Sequence, residues 1–528
     1  MNLLLKTLFE KKKFRGYDFN LSLISCLGTI MTKLKRTLRK RLLLILCFVE
    51  MWERFGYYGM RALLVLFLVK YYGFHDAKAY LIYSLYSAIC YVVPVFAGTL
   101  ADKLLGYKNL IISGGAIICL GHFILAFLNF NEALFNLGLA TIAIGSGFFK
   151  GNIANLLGTF YHKESSQRDK GFTSFYIAIN LGGFIAPIFC GFVAEHFGWD
   201  YGFGLAGIGM LIGLLTFIAF SDKLKEHGNA PKLELTKIKK LISRFPIAFM
   251  FSFGTILVVV AFFMLQNTEI FVNILAIFGL LFLFQLFYII YKSNSRERQS
   301  LVFLTILILF FMMIFALEMQ LGSLINIFTD RHIDRSLFGY EIPTAVLQFL
   351  NPFTILILGF AINAYFKKMN NKFTLIRFGF GIALSGLCFL TLYYGCVSHD
   401  MDYKINIMFL IIGMIFMALS ELFVAPILMS MTTYIAPHRL RGFMMGFLMF
   451  SVSYSNLSGV LIAKYMSVPK DDVNMNLSLS LEKYESGFLK IAILYLILLA
   501  IFLILYKFLM KVYSRETSIV KMPTQEWR

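Results

Sequence analysis

Hydrophobic residues in this chain come in long runs, and short polar connections separate them. A helix needs about 20 mostly apolar residues to cross the hydrocarbon of a bilayer. Runs of that length fall near 42–71, 80–100, 108–128, 134–160, 171–194 and 202–221, then near 245–265 and 270–291. Six more follow near 302–328, 343–366, 375–397, 405–434, 443–466 and 487–511. The pattern predicts an all-α membrane protein of fourteen helices, with the lipid bilayer as its main surroundings.

The connections carry a second pattern. Lys and Arg gather after the even-numbered runs: at Lys103 and Lys108, around Lys163, Arg168 and Lys170, in "KLKEHGNAPKLELTKIKKLISR", from Lys292 to Arg298, in "KKMNNK" and in "APHRLRG". The odd-numbered runs lead to "GFHDAK", "NFNE", "EHFGWD", "VSHDMD" and "SVPKDDVNMN", which are poor in both. The exception is "TDRHIDR", which carries both signs. Short cytoplasmic loops collect Lys and Arg, so the alternation predicts that both termini face the cytoplasm.

The charged connection over 222–244 sets six helices apart, and two more stand before a last six. The expected organisation is a basic cytoplasmic extension over 1–40, a six-helix bundle over 41–222, a linker with two extra helices over 223–298, a second six-helix bundle over 299–512 and a cytoplasmic tail over 513–528. Residues 1–40 do not read as a cleavable signal. Their weak apolar patch, "YDFNLSLISCLGTIM", is too short and polar to span. It reads either as an amphipathic surface helix or as a stretch ahead of a natural start at Met31.

Composition supports the membrane reading. Of 528 residues, 59% are hydrophobic and 15% charged, more apolar surface than a soluble fold could hide. The formal charge of +20 would suit a nucleic-acid partner, but its confinement to alternate loops assigns it to membrane topology, so none is expected. The seven cysteines, Cys90, Cys119 and Cys190 among them, mostly lie in apolar runs without a CxxC and read as small core residues. The eight histidines are scattered, with no HExxH or other metal spacing. No metal, cofactor or catalytic set is expected, and an enzyme is disfavoured.

Depth makes certain charges informative. Glu53 and Arg54 lie near the middle of the first run, more than about 15 Å from either end and beyond comfortable snorkelling. Lys150, Glu318 and Glu421 fall near the middle of the fourth, ninth and twelfth runs. Each such charge facing lipid would cost at least about 2.5–3.5 kcal/mol, so they must face a polar interior and one another. Glu50, Glu53, Arg54, Tyr57, Tyr58 and Arg61 step by three or four and share one helix face. Four carboxylates (Glu50, Glu53, Glu318, Glu421) stand against three cations (Arg54, Arg61, Lys150). A surplus carboxylate in a desolvated site favours its protonated form, as a proton-coupled carrier requires. The alternative is a static ion network that only holds the bundle together.

Motifs narrow the reading. "GTLADKLLGYK" fits the G-x-x-x-D-[RK]-x-x-G loop of the major facilitator superfamily, and the 6 + 2 + 6 layout agrees with it. "EMWERFGYYG", "GSGFFKGNIANLLG", "SFYIAINLGGFIAP", "LQFLNPF" and "LSELFVAPILMSMTTYIAPHRLRGFMMG" follow in order. Together they resemble the proton-dependent oligopeptide transporters over nearly the whole chain beyond about residue 40. The resemblance implies a major facilitator fold of two six-helix bundles with two extra helices between them, in a bacterial-type cytoplasmic (inner) membrane, working as a monomer. It implies symport of di- and tripeptides with protons. By the same resemblance, Glu50, Glu53 and Arg54 form the proton-coupling network, and Glu318 is a gate partner for Arg61. Arg61, Lys150, Tyr58 and Asn180 meet the peptide carboxylate, Glu421 takes the amino terminus, and Tyr91, Tyr176 and Asn351 line the pocket.

The chain also departs from that family. "MMIFALEMQLGSL" lacks the tryptophan that the family usually carries shortly before the glutamate in the run of Glu318, Ala425 stands for a serine, Leu448 for a tryptophan and Gly151 for a proline. The charged ends are kept and the side-chain pockets altered. Another zwitterionic solute, such as an amino acid derivative, is the alternative substrate, and a relative that binds without translocating is a further one.

Overall fold

The computed structural model describes residues 16–127, 131–161, 166–224, 228–229, 246–366, 373–467 and 477–520. The basic stretches over 1–15, 230–244 and 367–372 and most of the 467–476 loop lie outside the described residues. The first half is built from α1 (Gly16–Lys70), α2 (Asp76–Leu100), α3 (Tyr107–Phe127), α4 (Glu132–Gly158), α5 (Ser166–Phe197) and α6 (Trp199–Phe220). Then come α7 (Pro246–Gln266) and α8 (Thr268–Lys292). The second half contains α9 (Ser295–Glu318), α10 (Leu324–His332), α11 (Leu350–Phe366), α12 (Thr374–Val397), α13 (Ile407–Ile435), α14 (Arg441–Tyr465) and α15 (Leu477–Val520).

Among the described residues, eleven helices are long and apolar enough to cross a membrane. Three more runs complete the sequence pattern. Two are the shorter apolar stretches Phe251–Gln266 and Thr344–Gly359. The third is α1, whose second half is apolar but carries Glu50, Glu53, Arg54 and Arg61.

Two expectations change. The patch over 17–31 forms no separate surface helix, because α1 runs from Gly16 into the first span and no proline interrupts it. The apolar run over 302–328 is not one helix: α9 ends at Glu318, a 3₁₀ turn follows over Met319–Gly322, and α10 begins at Leu324. Ser323 sits between them at φ −125°, ψ −97°, outside helical geometry.

Within the first half, α1 packs on α5 and α6, and α4 on α2 and α3. The α1–α5 approach is so close that a Cβ on Gly182 would overlap the Met51 carbonyl oxygen. In the second half, α12 packs on α13 and α15, and α9 on α13 and α14. The halves meet along α2–α14 and α5–α11. Outside them, α7 lies on α4, with Phe253 stacked on Phe148 at 6.3 Å between centroids. On α8, Phe282 stacks with Phe443, Phe447 and Phe450 of α14, while Phe278, Phe284 and Phe287 are exposed.

One end of the bundle, opposite the end where α1 begins and α15 finishes, is latched. Asp76 at the start of α2 is fully buried, and both its oxygens accept from Arg331 of α10 at 2.7 Å. Lys70 pairs with Asp330 at 2.7 Å, and Lys404 donates to the Arg331 carbonyl at 2.9 Å. Behind this, β1 (Ile333–Asp334) pairs in parallel with β2 (Ile405–Asn406). The mixed-sign "TDRHIDR" thus breaks the loop pattern because its charges join the two halves. Toward the termini end there is open space: a Cβ on Gly98, Gly442 or Gly446 would meet nothing within 4 Å.

Candidate functional site

The shared face of α1 turns inward. Glu50, Glu53 and Arg54 are each 2% exposed. Helical spacing sets Arg54 one turn from Glu50, and its Nε lies 3.1 Å from Glu50 Oε1 while a terminal nitrogen pairs with Glu53. Ser146 of α4 donates to the other Glu53 oxygen at 3.3 Å. One cation therefore holds two carboxylates in a site closed to lipid, an arrangement whose charge balance changes with a single proton.

Two turns further along α1, Arg61 crosses to the second half. Its Nη1 lies 3.7 Å from Glu318 Oε1, and its Nη2 donates to the Glu318 carbonyl at 3.0 Å. That carbonyl is available because α9 ends at Glu318 and the chain turns. The break thus supplies the acceptor, as irregular backbone inside a membrane does where it faces a polar interior.

Arg61 and Glu318 border a cavity also lined by Tyr58, Asn180, Gln348, Asn351 and Glu421. Leu321, Ile355, Pro187 and Pro352 supply its apolar wall. Water centres can move through about 30 Å³ of it, enough for a very few molecules. Nε of Arg61, Oε2 of Glu318, Nε2 of Gln348 and Nδ2 of Asn351 are buried without a hydrogen-bond partner. Buried polar groups left open in this way are costly unless water or a ligand completes them. The cation comes from the first half, and the carboxylates Glu318 and Glu421 come from the second. The contracted cavity would have to widen to admit anything larger than water.

Of the residues singled out in the sequence, Tyr58, Arg61, Asn180, Glu318, Asn351 and Glu421 meet at this cavity. Lys150, Tyr91 and Tyr176 do not line it. Lys150 stands nearer the α1 network, its Nζ 3.7 Å from the Tyr91 ring centroid and 4.9 Å from that of Tyr57, without a hydrogen-bond partner. Tyr176 is 36% exposed, and its carbonyl accepts from the Asn180 side chain at 2.9 Å. Sequence reasoning missed Ser146 and Gln348. Ser146 precedes Lys150 by one helical turn, and Gln348 precedes Asn351 by three residues, so periodicity could have flagged both.

Known proteins resemble this chain in sequence and in fold. The sequence profile of the POT family matches residues 108–479. Dipeptide and tripeptide permease A of Proteus mirabilis is 31% identical over 449 residues, covering 84% of this chain and 90% of that protein. The permease of the same name from Erwinia pyrifoliae is also 31% identical over 449 residues, covering 84% and 89%. Among solved structures, a mutant of the peptide transporter POT in complex with alafosfalin superposes with a TM-score of 0.77 at 26% identity, covering 89% of this chain and 95% of that one. A bacterial homologue of the human drug peptide transporters gives 0.78 at 25% identity, covering 90% and 99%. The two six-helix halves have the major facilitator fold of these transporters. In sequence and in fold, this chain belongs to the POT family.

Proposed function

We propose that this protein is a symporter that imports di- and tripeptides together with protons by alternating access. It does so across a bacterial-type cytoplasmic (inner) membrane, with the latched end outside and both termini in the cytoplasm. The observation that carries this reading is the cavity with Arg61 on one half and Glu318 and Glu421 on the other. A small peptide is a zwitterion, so bound between these groups it bridges the halves and favours their closure. Tyr58, Asn180 and Asn351 bond its carboxylate or amide groups without selecting a side chain, and Lys150 draws its carboxylate end. Tyr91 and Tyr176 join the pocket as it widens. The names of the permease relatives and the ligand-bound transporter structures support a peptide as the cargo.

The proton role falls to Glu50, Glu53 and Arg54, with Glu318 as the gate partner of Arg61. A proton on Glu53 frees Arg54 from one of its two anionic partners and alters the field at Lys150 across the Tyr57 ring. A proton on Glu318 weakens the cross-half pair and lets the halves part. Each proton entering under a negative-inside potential contributes about 2.3 kcal/mol per 100 mV. The transport unit is one chain, because a single chain supplies both halves of the cavity, and transport needs no cofactor.

The test is uptake of labelled dialanine into liposomes containing the purified protein, under an inward acid gradient and negative-inside potential. Accumulation abolished by a protonophore supports the proposal. Intact protein that accumulates no small peptide under those conditions refutes it.

A further inference from the structure

A second and larger space lies outside the central cavity, between α2, α4, α7 and α8. The central cavity has about 30 Å³ and this groove about 390 Å³. Every lining residue is apolar, and none is shared with the central cavity. Ala88, Ala97, Ile144, Phe148 and Ala261 form a buried floor. Phe96, 68% exposed, and Val260, 47% exposed, stand at its mouth. Ile144 lies twelve residues into α4 and Leu257 eleven residues into α7, roughly 16–18 Å from the start of each helix at 1.5 Å per residue. The groove is therefore near the middle of the bilayer.

We propose that this groove binds one acyl chain of a membrane phospholipid. Water is excluded, because an apolar cavity without polar partners stays dry. A peptide is excluded because its charged ends would lie unpaired against hydrocarbon. The volume falls within the range of about 300–1,000 Å³ typical of small-ligand pockets. The mouth is continuous with the exposed apolar faces of α7 and α8, so the surrounding medium at that depth is lipid.

The walls are held from both halves. α7 is fixed to the first half through the Phe148–Phe253 stack. α8 is fixed to α14 of the second half through Phe282, and the Tyr454 hydroxyl donates to the carbonyl of Leu275, itself a wall residue. An acyl chain in the groove would touch α2, α4 and α7 on the side of the first half and, on α8, Leu275, the one wall residue that α14 holds. The two extra helices thereby close one side of a lipid site.

Full-length protein in phosphatidylethanolamine–phosphatidylglycerol liposomes would be doped with a phospholipid carrying a diazirine in mid-chain. After irradiation, labelled peptides would be mapped. The expected result is labelling at Ile144, Leu257 and Met264, which line the groove away from the bulk lipid, several-fold above that at outward-facing Phe284 and Phe287, suppressed by excess unlabelled phospholipid. Ala261→Phe and Ala97→Phe fill the floor from opposite walls, and either should remove the excess labelling while the labelling of Phe284 persists. Equal labelling around the periphery, labelling unchanged in a folded filled variant, or displacement equally well by a free fatty acid overturns the assignment. Cross-links from this groove to a second copy of the chain would overturn it in favour of an interface between copies. If both variants fail to fold, the ratio of labelling in the wild-type protein and its suppression by phospholipid still decide.

Discussion

Replacing Asp76 by Asn should open the latched end. The Asp76 side chain is 1% exposed and that of Arg331 10%, and the pair is bidentate at 2.7 Å. Removing one member of a buried pair costs about 3–5 kcal/mol, mainly because the remaining charge is left uncompensated. That penalty applies only while the end is closed, since opening returns Arg331 to water. The neighbouring Lys70–Asp330 pair involves a lysine 41% exposed and contributes about 0–1 kcal/mol, too little to hold the end alone. The shift should therefore be about 3 kcal/mol toward the open state, roughly a hundredfold at 1.4 kcal/mol per tenfold. Cysteines placed at Tyr201 on the first half and Met401 on the second, both exposed, would carry fluorophores for single-molecule distance measurement in nanodiscs, with the half-buried Cys47 and Cys119 replaced. Asp76→Asn should populate a longer distance, and the exchange Asp76→Arg with Arg331→Asp should largely restore the short one. An unchanged distribution in Asp76→Asn would refute the claim that this pair holds the end shut.

Four further outcomes are expected. Glu53→Gln should abolish uphill peptide accumulation in liposomes while leaving counterflow exchange, because Arg54 then keeps one fixed partner and the network loses its proton site; retained accumulation would remove Glu53 from coupling. Lys150→Ala should eliminate uptake, measured as transported dialanine per unit of folded protein, and wild-type uptake would exclude it from binding and coupling. Glu421→Gln should raise the apparent Kd for dialanine by tenfold or more, an interaction of about 1.4 kcal/mol or greater, while N-acetylated dialanine, which lacks the ammonium, loses less; equal losses for both ligands would show that Glu421 does not read the amino terminus. Gly182→Ala should lower the melting temperature by several degrees in detergent, since its methyl overlaps the Met51 carbonyl oxygen and α1 and α5 must separate to admit it; an unchanged melting temperature would mean that the approach is not tight.

What the sequence by itself determined is what depends on the bilayer as solvent. Apolar length marks the helices, alternating Lys and Arg in the loops predict the orientation, and a charge at mid-span must turn inward. These constraints act on one helix at a time, so one dimension suffices. They also found the α1 face, because Glu50, Glu53 and Arg54 lie within one turn of each other and the Arg54 pairs are local. Three features needed the tertiary structure. The break after Glu318 lies in an apolar run that carries no proline, and its purpose is visible only where Arg61, 257 residues away in sequence, reaches the freed carbonyl. The two signs of "TDRHIDR" look like a lapse in the loop pattern until Asp330 and Arg331 meet Lys70 and Asp76 across the halves. Lys150 and Glu421 are both legible as buried charges, but only packing puts Glu421 on the cavity and leaves Lys150 behind Tyr57 and Tyr91. Hydrophobicity and helical period are properties of the local chain. Which charge meets which depends on how the two bundles lean together, and that geometry is written in side-chain packing between distant helices.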